Sequence, residues 1–297
     1  MVIREISESR QNQSRKVKEV CKTKKAFSRI ISVASGKGGV GKTIATVNIA
    51  LALRRMGHSV LILDGDLGLA NVDVVLGLKA RYNINDVISE KARLKDILLD
   101  GPMGIRIIPS GSGISKLTQL SYLERLKIIQ EIESLNESFE FLVIDTGAGI
   151  SSTVLHLNAI ADDIIVVSTP EPHSMTDAYA FIKVMAEDYE RKSFNLVINM
   201  VRSKSEGEQV LKRISDVARN FLKLEIRELG SIPYDKQMQQ SLMMRQAASE
   251  KSTYFIAGQA WNEIARLILE NPVRVSRGDD DFWRRLVFSE ATGSCGA

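Results

Sequence analysis

The run Gly36–Thr43 reads G-K-G-G-V-G-K-T and holds two lysines, Lys37 and Lys42, within a glycine-rich stretch that fits G-x-x-x-x-G-K-T. Glycines at 36, 38, 39 and 41, with Val40 between the last two, let backbone N–H groups turn inward around phosphate oxygens. A helix beginning at the end of the run adds its positive dipole end. At this spacing Lys42 reaches β- and γ-phosphates, and Thr43 offers its hydroxyl to Mg²⁺, a cation that prefers hard oxygen ligands. Lys37, one residue after the first glycine, lies beside the phosphates but is poorly placed to curl around them. In a second copy facing the site it would meet the neighbour's phosphates, and a cation supplied in trans offsets charge on a transferring phosphoryl group. The alternative is a lysine that only raises the local positive charge.

Three carboxylates fall where such a site needs them. D-G-D-L-G-L-A-N-V-D places Asp64 and Asp66 after an apolar run, and F-L-V-I-D-T-G-A-G-I closes another on Asp145. A single Asp after a strand is most simply a turn or cap residue. Several beside a phosphate loop suit holding metal-bound water and orienting an attacking water. Asp145 reads as the Walker-B acid on the second shell of the metal. Gly147 and Gly149 follow it, and their backbone freedom suits a switch that contacts a γ-phosphate and relaxes after hydrolysis.

These residues must be positioned by an alternation of short apolar runs and longer helical patterns. The runs are 30–35, 59–64, 105–109, 141–145, 164–168 and 195–199, with a weaker one at 226–233. Most are nearly continuous in Val and Ile, as in strands buried on both faces. Helix-length segments lie at Lys42–Met56, Leu120–Leu135, Ser174–Tyr189, Ser205–Leu222 and Tyr254–Leu269. The expected fold is therefore α/β, a mostly parallel central sheet with helices on both faces. Its expected organisation is a basic arm at 1–28, one nucleotide-binding domain at 29–272, and a linker and short tail at 273–297.

Composition narrows the class further. The chain has 297 residues, 44% of them hydrophobic and 26% charged, ordinary for a globular protein. It has no long apolar run and no secretory signal pattern, so a cytoplasmic chain is expected. Cys21 and Cys295 lie near opposite ends and suit free thiols. His58, His156 and His173 have no metal-ligand spacing. The net charge of +4 is uneven: residues 1–29 hold nine Lys/Arg against three Glu. Such an arm suits nucleic acid, an acidic partner or a lipid surface, or is simply a solvated tail.

The loop K-G-G-V-G-K-T resembles the deviant phosphate loop of the MinD/ParA group of P-loop ATPases. More discriminating is T-P-E-P-H-S-M-T-D-A-Y-A (169–180), which with D-G-D-L-G-L-A-N-V-D and D-T-G-A-G-I-S is similar to the FlhG/FleN (YlxH) branch, ATPases that regulate flagellar number and placement. The likeness runs from Arg29 to about Pro272. It implies a P-loop NTPase fold, ATP and Mg²⁺ as ligands, and an ATP-sandwich homodimer in which Lys37 acts across the interface. It assigns Asp66 to the attacking water and Asp64 to the metal environment. Asn199, Pro233 and Tyr234 match adenine-contacting loops, and the chain has no N-K-x-D run of the kind that reads guanine. Partners implied are an FlhF-type GTPase, flagellar switch-complex proteins or a flagellar transcription regulator. The arm's N-Q-S-R-K-V-K (12–18) is a degenerate form of that branch's D-Q-A-x-x-L-R activator of FlhF. Lysine does not reproduce the planar fork of the arginine it replaces.

The tail holds F-W-R-R-L-V-F (282–288). Plotted at 100° per residue, Phe282, Trp283, Leu286 and Val287 share one arc, with Arg284 and Arg285 outside it. Such an arc suits an anionic membrane surface at the inner face of the cell membrane, or docks on the domain itself. Two tails in a dimer would reinforce each other. The rival readings are a ParA-like partitioning ATPase that binds DNA, which the near-neutral body makes unlikely, and a ligase on the same fold that needs an added substrate. An electron carrier is disfavoured, since neither cysteine lies in the switch loops.

Overall fold

A computed structural model describes residues 29–66, 72–109, 127, 130–131, 134–135, 137–236 and 256–271. The arm with its 12–18 segment, most of the expected helix Leu120–Leu135, and the tail residues Phe282, Trp283, Leu286 and Val287 lie outside the described residues.

All seven apolar runs form strands: β1 (Arg29–Ser35), β2 (Val60–Gly65), β4 (Arg106–Ile108), β5 (Phe141–Ala148), β6 (Asp163–Ser168), β7 (Phe194–Val201) and β8 (Ile226–Pro233). A two-residue strand, β3 (Leu99–Asp100), joins them. Among the described residues the sheet order is β3-β4-β2-β5-β1-β6-β7-β8, parallel throughout except for the β3–β4 pair. The four main helices are α1 (Lys42–Arg55), α6 (Pro172–Glu187), α7 (Lys204–Val217), which runs on as a π-helical turn to Leu222, and α8 (Ile256–Glu270). Shorter helices are α2 (Val72–Leu76), α3 (Ile84–Ile88), α4 (Leu94–Ile97) and α5 (Ser152–Ala159).

Strand alternation sorts the core into two layers. Ile31, Val33, Val143, Ile165 and Val197 face α1 and α8, meeting Val47, Leu51, Trp261 and Ile264. On the other face Val166, Leu196 and Ile198 meet Phe181 and Met185 of α6 and Leu211 and Ile214 of α7. Beside them Leu61, Leu142 and Ile144 meet Ile84, Leu94 and Leu157 of the short helices. With both faces covered, the strands need apolar residues at nearly every position, which is why they read as continuous runs.

The strand order reverses beside β1, which has β5 on one side and β6 on the other. The crevice at the carboxyl ends beside such a switch point is where open α/β sheets hold ligands. Arg29, counted with the basic arm in the sequence, belongs instead to the core: it is 4% exposed and its Nε donates to Asp163 Oδ2 at 2.6 Å. Among the described residues no helix is long and apolar enough to cross a membrane.

Candidate functional site

The loop after β1 enters α1 through Gly41, whose φ of +88° is left-handed and which carries no side-chain cap. No acid sits in the first turn of α1, so its amino end is left for an anion. Two of the loop glycines are packed against neighbours. A Cβ on Gly36 would lie 2.1 Å from the carbonyl oxygen of Asp177 on α6, and one on Gly41 would lie 2.3 Å from Asn199 Nδ2. A Cβ on Gly38 or Gly39 meets nothing within 4 Å. The loop is therefore pinned at its ends and open over its middle, the shape a phosphate chain needs.

Beneath the loop, Asp145 is fully buried and gathers three donors. Lys42 Nζ donates to its Oδ1 at 2.9 Å, Thr43 Oγ1 to its Oδ2 at 2.7 Å, and Thr46 Oγ1 to Oδ1 at 3.2 Å. Asp64, opposite Asp145 on the adjacent strand and also fully buried, accepts the backbone N–H groups of Asp66 and Val72 at 3.2 and 3.3 Å. Asp66 stands at the rim; a Cβ added to Gly147 would lie 3.8 Å from its Oδ1. Just after Asp145 the β1–β5 register slips, Val33 facing Asp145 but Ser35 facing Ala148. This bulge turns Gly147 out of the ladder, while Gly149, with φ +87°, donates its N–H to Ser35 O at 2.9 Å.

Lys42 and Thr43 meet at Asp145, with Asp64 opposite it on the adjacent strand and Asp66 near Gly147. Among the described residues no group of three or more His, Cys, Asp or Glu forms an all-protein cation cage. That donor set fits Mg²⁺ held through one hydroxyl, water and phosphate oxygens rather than by a dedicated cage.

Lys37 stands apart from this cluster. Its ammonium is partly exposed and pairs within the same chain with Glu171 Oε2 at 3.1 Å. Glu171 closes the cleft beside the loop, which Thr169, Met200, Arg202 and Glu206 also line. Asn199 braces the loop, its Nδ2 donating to Val40 O at 2.9 Å and its Oδ1 accepting Met200 N–H at 2.9 Å. A primary amide keeps a second N–H and a further lone pair. Pro233–Tyr234 lies next to it, with Tyr234 N–H donating to Val201 O at 2.9 Å and a half-exposed ring.

Sequence reasoning missed Thr46, Glu171 and the contact of Gly36 with Asp177. Thr46 had a signal, since it lies one turn after Lys42 on the same helix face. The other two depend on how α6 packs and leave no local trace.

The family model described as ParA, NUBPL iron-transfer P-loop NTPase, matches residues 26–269. Antiactivator FleN of Pseudomonas aeruginosa is 38% identical over 268 residues, covering 90% of this chain and 96% of that protein. The flagellum site-determining protein YlxH of Helicobacter pylori is 33% identical over 246 residues, covering 82% and 83%. The solved structure of the septum site-determining protein MinD complexed with Mg-ADP, from Pyrococcus horikoshii, superposes with a TM-score of 0.63 at 26% identity, covering 82% of this chain and 96% of that one. The chain belongs to the ParA/MinD family of P-loop ATPases, on the branch that holds FleN and YlxH.

Proposed function

We propose that this ATPase is a dimerising switch that binds Mg·ATP, closes face to face with a second copy, and opens on hydrolysis to set flagellar number and placement. One observation carries the reading. Lys42 is buried against Asp145 under the glycine loop, whereas Lys37 stays at the rim, held only by an exposed carboxylate. A single lysine completes an ordinary phosphate site. A second, left at the mouth, suits a neighbour's phosphates.

The roles follow from position. Backbone N–H groups of Gly36–Thr43 wrap the phosphate chain, and Lys42 exchanges Asp145 for β- and γ-phosphate oxygens. Thr43 would present its hydroxyl to Mg²⁺, and Asp145 and Asp64 behind it would accept from water held there. The metal's contribution is to offset charge on the phosphoryl group being transferred. Asp66, nearest the rim, orients the attacking water, and Gly147 reports the γ-phosphate to the loop that follows. Asn199, Pro233 and Tyr234 take the adenine. Lys37 leaves Glu171 for the partner's phosphates; an exposed pair is worth at most about 1 kcal/mol, so the exchange costs little.

We assign residues 29–272 to the ATPase domain, 1–28 to an arm and 273–297 to a tail. Membrane association at the inner face of the cell membrane, through Phe282, Trp283, Leu286 and Val287, accompanies the ATP state. The relative from P. aeruginosa is called an antiactivator and that from H. pylori a flagellum site-determining protein. The output here is placed in the same process, through a flagellar transcription regulator, an FlhF-type GTPase or switch-complex proteins.

ATP turnover by the purified chain tests the reading. Hydrolysis should proceed without any added co-substrate, and Asp66→Ala should lower it at least about a hundredfold while ATP binding persists. Turnover that appears only with a small-molecule substrate would favour a ligase.

A further inference from the structure

The cleft beside the phosphate loop holds a charged group that the switch does not yet use. Glu171 is the N-cap of α6, but its side chain caps nothing in that helix and accepts Lys37 Nζ instead. Arg202 lines the same cleft, just past the end of β7. Its backbone is fixed from both sides. Before it, β7 slips register against β8 between Ile198 and Val201, and Met200 takes a left-handed φ of +60°, a conformation that a non-glycine residue keeps only when its surroundings impose it. After it, Ser203 caps α7 by accepting Glu206 N–H at 3.2 Å, and Glu206 Oε2 accepts Arg202 N–H at 2.6 Å. The exposed guanidinium itself has no hydrogen-bond or ion-pair partner among the described residues. Nor has the Oγ1 of Thr169, a residue 6% exposed on the same cleft.

The cleft, about 490 Å³ in volume, is lined by two cations and two carboxylates: Lys37, Arg202, Glu171 and Glu206. Lys42, Thr43, Asp64, Asp66 and Asp145 do not line it, so it is separate from the cluster beneath the loop. Lys204, the next cation along the chain, pairs with Glu208 at 3.8 Å and stays outside it. In the free chain the exposed Lys37–Glu171 pair is weak. A second copy closing on this face takes water from the cleft. Once Lys37 turns to the neighbour's phosphates, Glu171 is a carboxylate in a covered interface, where a charge without a partner is strongly destabilising. Arg202 is the cation at hand, and a guanidinium fork matches both oxygens of a carboxylate.

We propose that Arg202 is a positioning residue for dimerisation, taking over Glu171 when Lys37 crosses to the second copy. The Lys37–Glu171 pair of the free chain becomes an Arg202–Glu171 pair in the closed dimer, with the Thr169 hydroxyl as a further donor to the same carboxylate. This rests on the dimerising-switch reading above and adds to it the residue that releases Lys37. Arg202 acts through Glu171 and touches neither the nucleotide nor the second copy.

The test is sedimentation velocity of the full chain over a range of protein concentrations, with Mg²⁺ and a non-hydrolysable ATP analogue. Arg202→Ala should weaken dimerisation at least about tenfold, while binding of a fluorescent ATP analogue to the single copy is unchanged. Glu171→Gln leaves no carboxylate to satisfy and should dimerise at least as readily as the parent. In that background Arg202→Ala should cost less than about twofold, an outcome that a merely structural role for Arg202 does not produce. If the parent dimerises and Arg202→Ala dimerises as readily, the proposal alone is overturned. An equal loss with and without Glu171→Gln would also overturn it, by placing Arg202 against the second copy itself. A parent chain that stays monomeric with the analogue bound would remove the switch reading and this inference together.

Discussion

Two buried cations sit at opposite ends of the same sheet, each against a strand aspartate, and they are held in different ways. At the amino end Arg29 spends its guanidinium on Asp163, Ile268 O and Asn271 O, closing β1 against β6 and the end of α8. At the carboxyl end Lys42 donates to Asp145 beneath a loop whose middle is open. Arginine's fixed fork, satisfied by several acceptors at once, makes a permanent joint. Lysine's point charge on a flexible stem, with a single described partner, can be exchanged for phosphate oxygens. Burial and pairing alone do not separate a structural charge from a functional one. The acceptors left over, and the space beside them, do.

Substitutions at the two ends test that contrast. The largest effect is expected at the permanent joint. Arg29→Met removes a buried guanidinium from the largely covered Asp163 and from two carbonyls, and should lower unfolding stability by about 3 kcal/mol, read from urea denaturation, while turnover of the folded fraction is retained. A variant as stable as the parent would show that the joint is dispensable. Lys42→Ala should lower turnover at least about a hundredfold, as measured by phosphate release from the folded fraction. The smallest effect belongs to the rim: Glu171→Gln breaks a pair whose side chains are 43% and 67% exposed, so stability should move by less than about 1 kcal/mol. A larger loss would mean that Glu171 holds the loop and not merely its first lysine.

Much of this was legible in the sequence, unevenly and for physical reasons. Six strands declared themselves because a sheet covered on both faces has few polar positions to interrupt its runs; β8, at the sheet edge, reads more weakly because Arg227, Glu228 and Ser231 lie within it. The helices α2 to α5 did not, because four to eight residues span too few turns to show a period. Helix α3 owes its start to a local device, Asn83 accepting Asn85 N–H while Asp86 accepts Asn83 N–H. At the site, Lys42, Thr43 and Asp145 were visible because their chemistry fixes residue type and spacing. Asn199 was visible only as a strand-end residue aimed at adenine; that it clips Val40 O depends on β7 lying two strands from β1. Arg29 entered the charge count of the arm although the domain was expected to begin with it, since charge counting along the chain cannot tell a basic arm from the first residue of a buried strand.

The central claim is that two copies close over their nucleotides, each lending the other Lys37. Sedimentation velocity of the full chain, with and without Mg²⁺ and a non-hydrolysable ATP analogue, tests it most directly. The account predicts a monomer that becomes a dimer on adding the analogue, with Lys37→Ala and Lys42→Ala both remaining monomeric. A parent chain that stays monomeric with nucleotide bound, or a Lys37→Ala variant that dimerises as readily as the parent, would contradict it.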